Sequence, residues 1–188
     1  MARVVVVALF ALAAIWPAPA GAAEPRFRVL VFSATEGVRH DSIPAGIAAV
    51  RSLGARHGFA VDATEDPAAF TRRRLGRYAA VVWLNTTGNV LDGAQQAAFR
   101  RYIRRGGGFA GIHSAADTEY GWGWYGRLVG ARFRSHPAVQ PATIRVVDRR
   151  HPSTRGLPRR WPRTDEWYDF RAVPPRGVRV LARLDESS

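Results

Sequence analysis

The sequence predicts an α/β domain built around a parallel β-sheet, preceded by an export signal. Short apolar segments rich in β-branched residues alternate with segments whose apolar residues recur at helical spacing. This alternation is typical of parallel strands joined by right-handed helical crossovers. A length of 188 residues and a hydrophobic fraction of 47% suit one domain with a sizeable core.

Residues 1–23 are expected to be a cleavable signal peptide, with the domain occupying residues 24–188. Arg3 gives a positive start, and an uncharged apolar run of about 13 residues follows, shorter than the ~20 residues of a transmembrane helix. Ala20-Gly21-Ala22 then offers a small-residue cleavage site, with cleavage near Ala22 or Ala23. An uncleaved membrane anchor is the alternative. We therefore expect a secreted or periplasmic protein.

Four strands and three helices are predicted in the first half of the mature chain. The strands fall at residues 26–34, 59–63, 78–84 and 109–112, each a short apolar run. The helices fall at residues 42–57, 66–74 and 92–105. Ser42 is a candidate N-cap for the first helix, and Gly58 ends it.

The remainder of the chain has a different character. A short helix is expected to run to Leu128, with strands at residues 142–147, 166–171 and 178–184 and a loop rich in Pro and Arg at 151–162. The sequence stops at Ser188, soon after a strand and without a closing helix. This predicts either a domain truncated at its C-terminus or a sheet with little behind its last strand.

Composition excludes several functions. The chain has no cysteine, which removes disulfides, thiolate nucleophiles and cysteine metal sites. Its net charge is +13, and every basic residue is arginine. These arginines are scattered and do not interleave with aromatic residues, as a nucleic-acid groove would require. We therefore expect no nucleic-acid partner.

Polar segments follow three of the predicted strands. In such sheets, ligands bind beyond the carboxyl ends of the strands. His40 follows the first strand, Asn85 follows the central strand, and the segment from His113 to Tyr120 follows the fourth. The sequence therefore predicts a site at this edge of the sheet.

His113 is the sharpest candidate, because it sits at a strand-to-helix turn where an imidazole can act as a general base or metal ligand. The alternative is a structural role, in which the His113 side chain forms a hydrogen bond to neighbouring backbone and holds the turn. Ser114 could be a nucleophile, although a helix cap is favoured. His40 could equally be an exposed loop residue. Asp117 and Glu119 could transfer protons, bind a metal or merely cap a helix.

Aromatic and acidic residues occur together in Thr164-Asp165-Glu166-Trp167-Tyr168. Carboxylates beside aromatic faces suit sugars, whose C–H faces stack while their hydroxyls take hydrogen bonds. Trp122 could extend that surface, although packing in the core is the commoner role of such residues. His136, in a loop, could also reach the site, although a lone loop histidine is more often solvated.

Several motifs resemble those of the trehalose-utilisation, or ThuA-like, family. They are residues 36–43 (EGVRHDSI), 107–120 (GGFAGIHSAADTEY), 135–137 (SHP), 151–154 (HPST), 164–168 (TDEWY) and 184–187 (LDES), in that order. The resemblance implies a flavodoxin-like, class I glutamine-amidotransferase-like three-layer sandwich with a mostly parallel sheet, truncated at its C-terminus. Such amidotransferases carry cysteine where this chain has His113, so glutamine hydrolysis by a thiolate is excluded.

The resemblance also implies a role around trehalose, other glucosides and keto-sugars. A sugar-processing enzyme is the main hypothesis, and a non-catalytic carbohydrate-binding or interaction domain is the alternative. A small-molecule carbohydrate is the expected partner, with no membrane contact after signal cleavage. A divalent metal is a candidate cofactor, although no spacing motif supports it. The predicted catalytic residues are His113, His40, Glu119 and Glu166, and the predicted substrate-binding residues are Asn85, Asp117, Tyr120, Trp122, His136, Trp167 and Tyr168.

Overall fold

The computed structural model describes residues 24–172 and 177–188. The signal peptide predicted for residues 1–23 lies outside the described residues. Within those two ranges, no helix is both long and apolar enough to cross a membrane.

A four-stranded parallel sheet organises residues 24–130, which we call the parallel half. Its strands are β1 (Arg28–Phe32), β2 (Ala60–Thr64), β3 (Ala80–Leu84) and β4 (Gly108–Ile112), in the order β2-β1-β3-β4. All neighbouring strands are parallel. The predicted α/β class with a mostly parallel sheet is therefore confirmed.

Helices connect these strands close to the predicted positions. They are α1 (Ile43–His57), α2 (Arg72–Leu75), α3 (Gly93–Arg104) and α4 (Gly123–Val129), with 3-10 segments at Pro67–Ala69 and His113–Asp117. The helix predicted at 66–74 is thus divided into a 3-10 turn and α2. Ser42 precedes α1 without a side-chain capping bond, since its hydroxyl accepts a hydrogen bond from Asn85 instead. Gly58 ends α1 in the left-handed conformation, with φ 73°.

An aromatic core lies against one face of the parallel sheet. Trp83, on β3, is fully buried. Its ring packs 4.7–5.7 Å from the rings of Phe32, Phe70, Phe99 and Tyr125. Burial of such large rings is the main source of stability in this half.

Residues 131–172 and 177–188 form two small antiparallel sheets, and we call them the antiparallel half. Strand β6 (Gln140–Val146) lies between β7 (Arg160–Asp165) and β9 (Ala182–Asp185). Strand β5 (Phe133–Ser135) pairs with β8 (Asp169–Phe170). Val146 is the one buried hydrophobic residue among the described residues of this half.

The sequence is less informative about these strands. Strands β5 and β7 were not predicted, and β7 overlaps the loop expected at 151–162. The strands expected at 166–171 and 178–184 are reduced to β8 and β9. Pro162 and three charged residues make β7 read as a loop, and only its pairing with β6 gives it strand geometry.

Candidate functional site

The segments that follow β1, β3 and β4 lie side by side at the carboxyl edge of the parallel sheet. Single parallel bridges join Thr35 to Thr87 and Gly88 to Thr118. The hydroxyl of Thr87 also accepts a hydrogen bond from the Gly37 N–H, at 3.2 Å. These contacts bring the segments carrying His40 and His113 together.

His113 is held in a strained backbone conformation. It is the first residue of the 3-10 segment after β4, and its φ is 53°. Positive φ is uncommon for residues other than glycine, and it concentrates at functional sites. Asn85, directly after β3, has φ 50°, and its side-chain amide donates to Ser42 Oγ at 2.8 Å. That bond fixes the segment two residues beyond His40.

Two histidines and one glutamate meet at this edge, and we call them the His40–His113–Glu166 cluster. His113 Nε2 lies 3.0 Å from Glu166 Oε2 and 3.1 Å from His40 Nε2. His40 Nε2 lies 3.8 Å from the same carboxylate oxygen. The three side chains are 19–25% exposed, so the cluster is sheltered but reachable from solvent. The parallel half supplies both imidazoles, and the antiparallel half supplies the carboxylate.

His136 and Tyr168 complete the surroundings of the cluster. His136 Nε2 lies 3.4 Å from Glu166 Oε1, whereas the other two histidines contact Oε2. The Tyr168 hydroxyl lies 3.2 Å from His113 Nε2. The Tyr168 ring packs 4.4 Å from the rings of both His113 and Phe133.

Burial sets the charge state of the central imidazole. It lowers the pKa of His113, and the neighbouring His40 lowers it further, against the opposing effect of the Glu166 and Asp165 carboxylates. His113 is therefore neutral at neutral pH and able to accept a proton. Burial also raises the pKa of Tyr168, so its hydroxyl remains protonated.

An open cleft of about 500 Å³ lies beside the cluster. Its walls combine apolar and aromatic side chains with the polar groups of the cluster, which is the usual make-up of a small-molecule site. The residues that define its character are Ile112, His113, Val129, Glu166, Trp167 and Tyr168.

The structure does not bring Glu119 into the cluster. Its side chain is buried, and its carboxylate accepts hydrogen bonds from the Leu91 N–H at 2.8 Å and from Gln96 Nε2 at 2.6 Å. Burial raises its pKa. The backbone of Glu119 has a φ of 56°, and the sequence alone does not reveal a turn of this kind. Glu119 therefore secures the segment before α3.

Trp122 and Ser114 also lie away from the cluster's chemistry. Trp122 packs on the aromatic core, 4.9 Å from the Trp124 ring. This is the core role that was the alternative for it. Ser114 is fully buried, which argues against the nucleophile interpretation.

The other predicted residues take supporting positions. The Tyr120 hydroxyl donates to the Asp117 carboxylate, and burial and this bond raise the pKa of Tyr120 to about 12. Arg132 and Arg171 lie 5.2 Å and 4.9 Å from the centre of the Tyr120 ring. Trp167 lines the cleft, and its indole N–H donates to the Gln140 carbonyl at 2.8 Å.

Two residues near the site were not singled out from the sequence. Phe133 supports the Tyr168 ring, and Asp165 lines the cleft. Asp165 precedes Glu166 in the acidic-aromatic motif, which was the available signal. Phe133 lies three residues before His136 and carried no comparable signal.

Comparison with protein-family models identifies the family of this chain. The family model described as "ThuA: Trehalose utilisation" matches residues 28–188. The chain belongs to the ThuA family. This confirms the resemblance found in its sequence motifs. No curated protein matches the chain.

Solved structures of ThuA-like proteins have the same fold. A crystal structure of a ThuA-like protein from Bacteroides uniformis is 28% identical, with a TM-score of 0.74, over 89% of this chain and 71% of that one. Another from Parabacteroides merdae is 20% identical, with a TM-score of 0.70, over 86% of this chain and 68% of that one. The mixed α/β architecture of this ThuA protein agrees with the flavodoxin-like, amidotransferase-like fold that the sequence predicted.

Proposed function

We propose that this ThuA protein is an enzyme that processes a small carbohydrate at the His40–His113–Glu166 cluster. The observation that carries the proposal is the 3.0 Å contact between His113 Nε2 and Glu166 Oε2 at the wall of an open cleft. An imidazole oriented by a carboxylate is a common arrangement for proton transfer.

The chemistry begins with the neutral imidazole of His113. Because its Nε2–H is donated to Glu166 Oε2, the neutral imidazole carries its lone pair on Nδ1. Nδ1 accepts a proton from a substrate hydroxyl, or from a carbon next to a keto group, and returns that proton later in the reaction. Glu166 stabilises the imidazolium formed in between, since its carboxylate lies within hydrogen-bond distance. His40, whose Nε2 lies 3.1 Å from His113 Nε2, disfavours a permanently charged imidazolium and so keeps the base available.

A carbohydrate is the substrate class that the surroundings favour. Trp167 and Tyr168 line the cleft and present aromatic surface beside polar groups. Sugars combine apolar C–H faces with hydroxyls, so they match such a surface. The family description, trehalose utilisation, points to the same class. Trehalose, other glucosides and their keto derivatives are therefore the first candidates.

Turnover by matched variants tests this proposal. The wild-type chain would be incubated with trehalose, simple glucosides and their keto derivatives, and consumption would be followed by NMR. His113→Asn keeps a residue that tolerates positive φ, and Glu166→Gln keeps the side-chain shape. We expect each to lower kcat/KM by about 100- to 10,000-fold. The controls His57→Asn and Glu186→Gln change exposed residues outside the cluster and should retain wild-type rates.

Binding measurements separate catalysis from the alternative of a carbohydrate-binding domain. Retained sugar binding by His113→Asn with loss of turnover supports the enzyme. Sugar binding by the wild type without consumption of any sugar in the panel overturns it in favour of the binding domain. Equal rates for the wild type and both cluster variants would also overturn it.

We also propose that the protein is exported, on the strength of the charged, apolar and small-residue segments in residues 1–23. Expression in a bacterial host followed by fractionation and N-terminal mass analysis tests this. A mature chain beginning near Ala23 or Glu24 outside the cytoplasm is expected. An intact N-terminus in the cytoplasm would contradict the proposal.

A further inference from the structure

The side chains of the cluster converge on one point more closely than hydrogen bonding explains. His113 Nε2 lies 3.0–3.2 Å from Glu166 Oε2, His40 Nε2 and the Tyr168 hydroxyl. An imidazole nitrogen carries either one hydrogen or one lone pair, so it forms one well-directed hydrogen bond. Three polar neighbours exceed that capacity. The other ring nitrogen of His40 is also unusual, because Nδ1 is buried and has no hydrogen-bond partner among the described residues.

We propose that His40 Nε2, His113 Nε2 and the Glu166 carboxylate bind a divalent transition-metal ion, with Zn²⁺ as the representative. All three donor atoms lie within 4.8 Å of one another. The proposal concerns the same site as the proposed function and adds a cofactor to it, but the ion binding itself is measured without turnover.

The spacing of the donor atoms fits a tetrahedral ion. Ligand atoms 2.0–2.1 Å from a tetrahedral zinc are separated from one another by about 3.3–3.4 Å. The three observed separations are 3.0, 3.1 and 3.8 Å. Shifts of a few tenths of an ångström at each pair therefore give the ligand triangle of such an ion.

The donor types select the class of metal. Two imidazole nitrogens with one carboxylate suit zinc and neighbouring transition metals, whereas calcium and magnesium prefer sets made of oxygen alone. Three protein ligands leave a fourth position for water or substrate, as in catalytic zinc sites. The cleft is lined by both His113 and Glu166, so this open position is accessible to a small molecule.

His136 would orient the carboxylate ligand. Its Nε2 lies 3.4 Å from Glu166 Oε1, which leaves Oε2 for the ion. Partners that hold a metal ligand in this way typically contribute 10- to 100-fold to affinity. His136 is therefore a positioning residue, distinct from the three ligands.

Metal binding by the full chain tests the proposal. The protein would be stripped with a chelator and titrated with Zn²⁺ by calorimetry, with stoichiometry measured by elemental analysis after desalting. We expect one ion per chain. His40→Asn, His113→Asn and Glu166→Gln should each weaken binding by about 100-fold or more, and His136→Gln by about 10-fold. Far-ultraviolet circular dichroism would verify that each variant is folded.

The His57→Asn and Glu186→Gln variants serve as matched controls and should bind as the wild type does. Absorption of bound Co²⁺ in the visible range should report a four- or five-coordinate site in the wild type and be lost in His113→Asn. Wild-type protein that retains no Zn²⁺, or cluster variants that bind it unchanged, would overturn the metal site.

The two proposals fail in distinguishable ways. Zn²⁺ binding at the cluster without consumption of any sugar supports the metal site while overturning the enzyme. Full turnover by chelator-treated, metal-free protein would overturn the metal as a cofactor while leaving the acid–base enzyme standing.

Discussion

Trp83 and Trp161 are both strand tryptophans, yet they occupy opposite environments. Trp83, in the parallel half, is fully buried among the rings of the aromatic core. Trp161, in the antiparallel half, is only half-buried, and Arg163 lies 5.1 Å from the centre of its ring. The difference indicates that burial of apolar surface stabilises the parallel half more than the antiparallel half, where strand pairing carries a larger share.

The largest expected effect comes from removing the two tryptophans in turn. Trp83→Ala leaves a cavity at the centre of the core and should lower the free energy of unfolding by about 3–5 kcal/mol. Trp161→Ala should lower it by about 1 kcal/mol or less, because little surface is removed from a packed environment. Urea denaturation of both variants measures this. Equal decreases in the free energy of unfolding of the two variants would contradict the proposed difference between the halves.

Amide hydrogen exchange is expected to reveal the same division in the wild-type protein. Amides of β1 and β3 lie beneath the core and should exchange at least about 100-fold more slowly than those of β9, whose side chains are mostly exposed. Exchange followed by mass spectrometry gives the order directly. Faster exchange in β1 than in β9 would contradict it.

A smaller effect of pH is expected in the antiparallel half. Asp185 is bonded to Ser187 at 2.8 Å and to Arg145 at 2.8 Å, and these contacts lower the pKa of its carboxyl. A lowered carboxyl pKa gives stability that is present above the ordinary value of 3.8 and is lost as the pH falls through the folded-state pKa. Strand β9 should therefore loosen in acid.

Amide NMR spectra of β9 between pH 6 and pH 2 would follow this transition. In Asp185→Asn the β9 signals should lose their acid-dependent change, since the titrating group is gone. An unchanged acid transition in that variant would assign the effect to another group.

Sequence predicts the parallel half well because its signals are local. The apolar runs of β1 and β3 and the glycine that ends α1, Gly58, mark their elements directly. Strand β7 carries no such signal, because its conformation depends on a partner strand distant in the chain. The structure therefore differs most from the sequence-based prediction in strands whose conformation depends on pairing with another strand.

The candidate site shows the same limit. Topology places the segments after β1 and β4 at one edge, so His40 and His113 could be nominated from the sequence. Glu166 was nominated from its motif, but its approach to those histidines depends on how the two halves pack. Glu119 has the same chemistry and a nearer position in the chain, and the turn at its own backbone directs it to the segment before α3 instead.

The left-handed backbone at His113 has a consequence for protein engineering. Glycine accepts that conformation without strain, so His113→Gly should relax the turn while deleting the imidazole. At position 113, the residue that gives the most stable backbone therefore lacks the side chain that the proposed chemistry needs. A laboratory selection that rewards heat resistance alone would tend to replace this side chain, whereas one that rewards the proposed turnover of a carbohydrate would keep it.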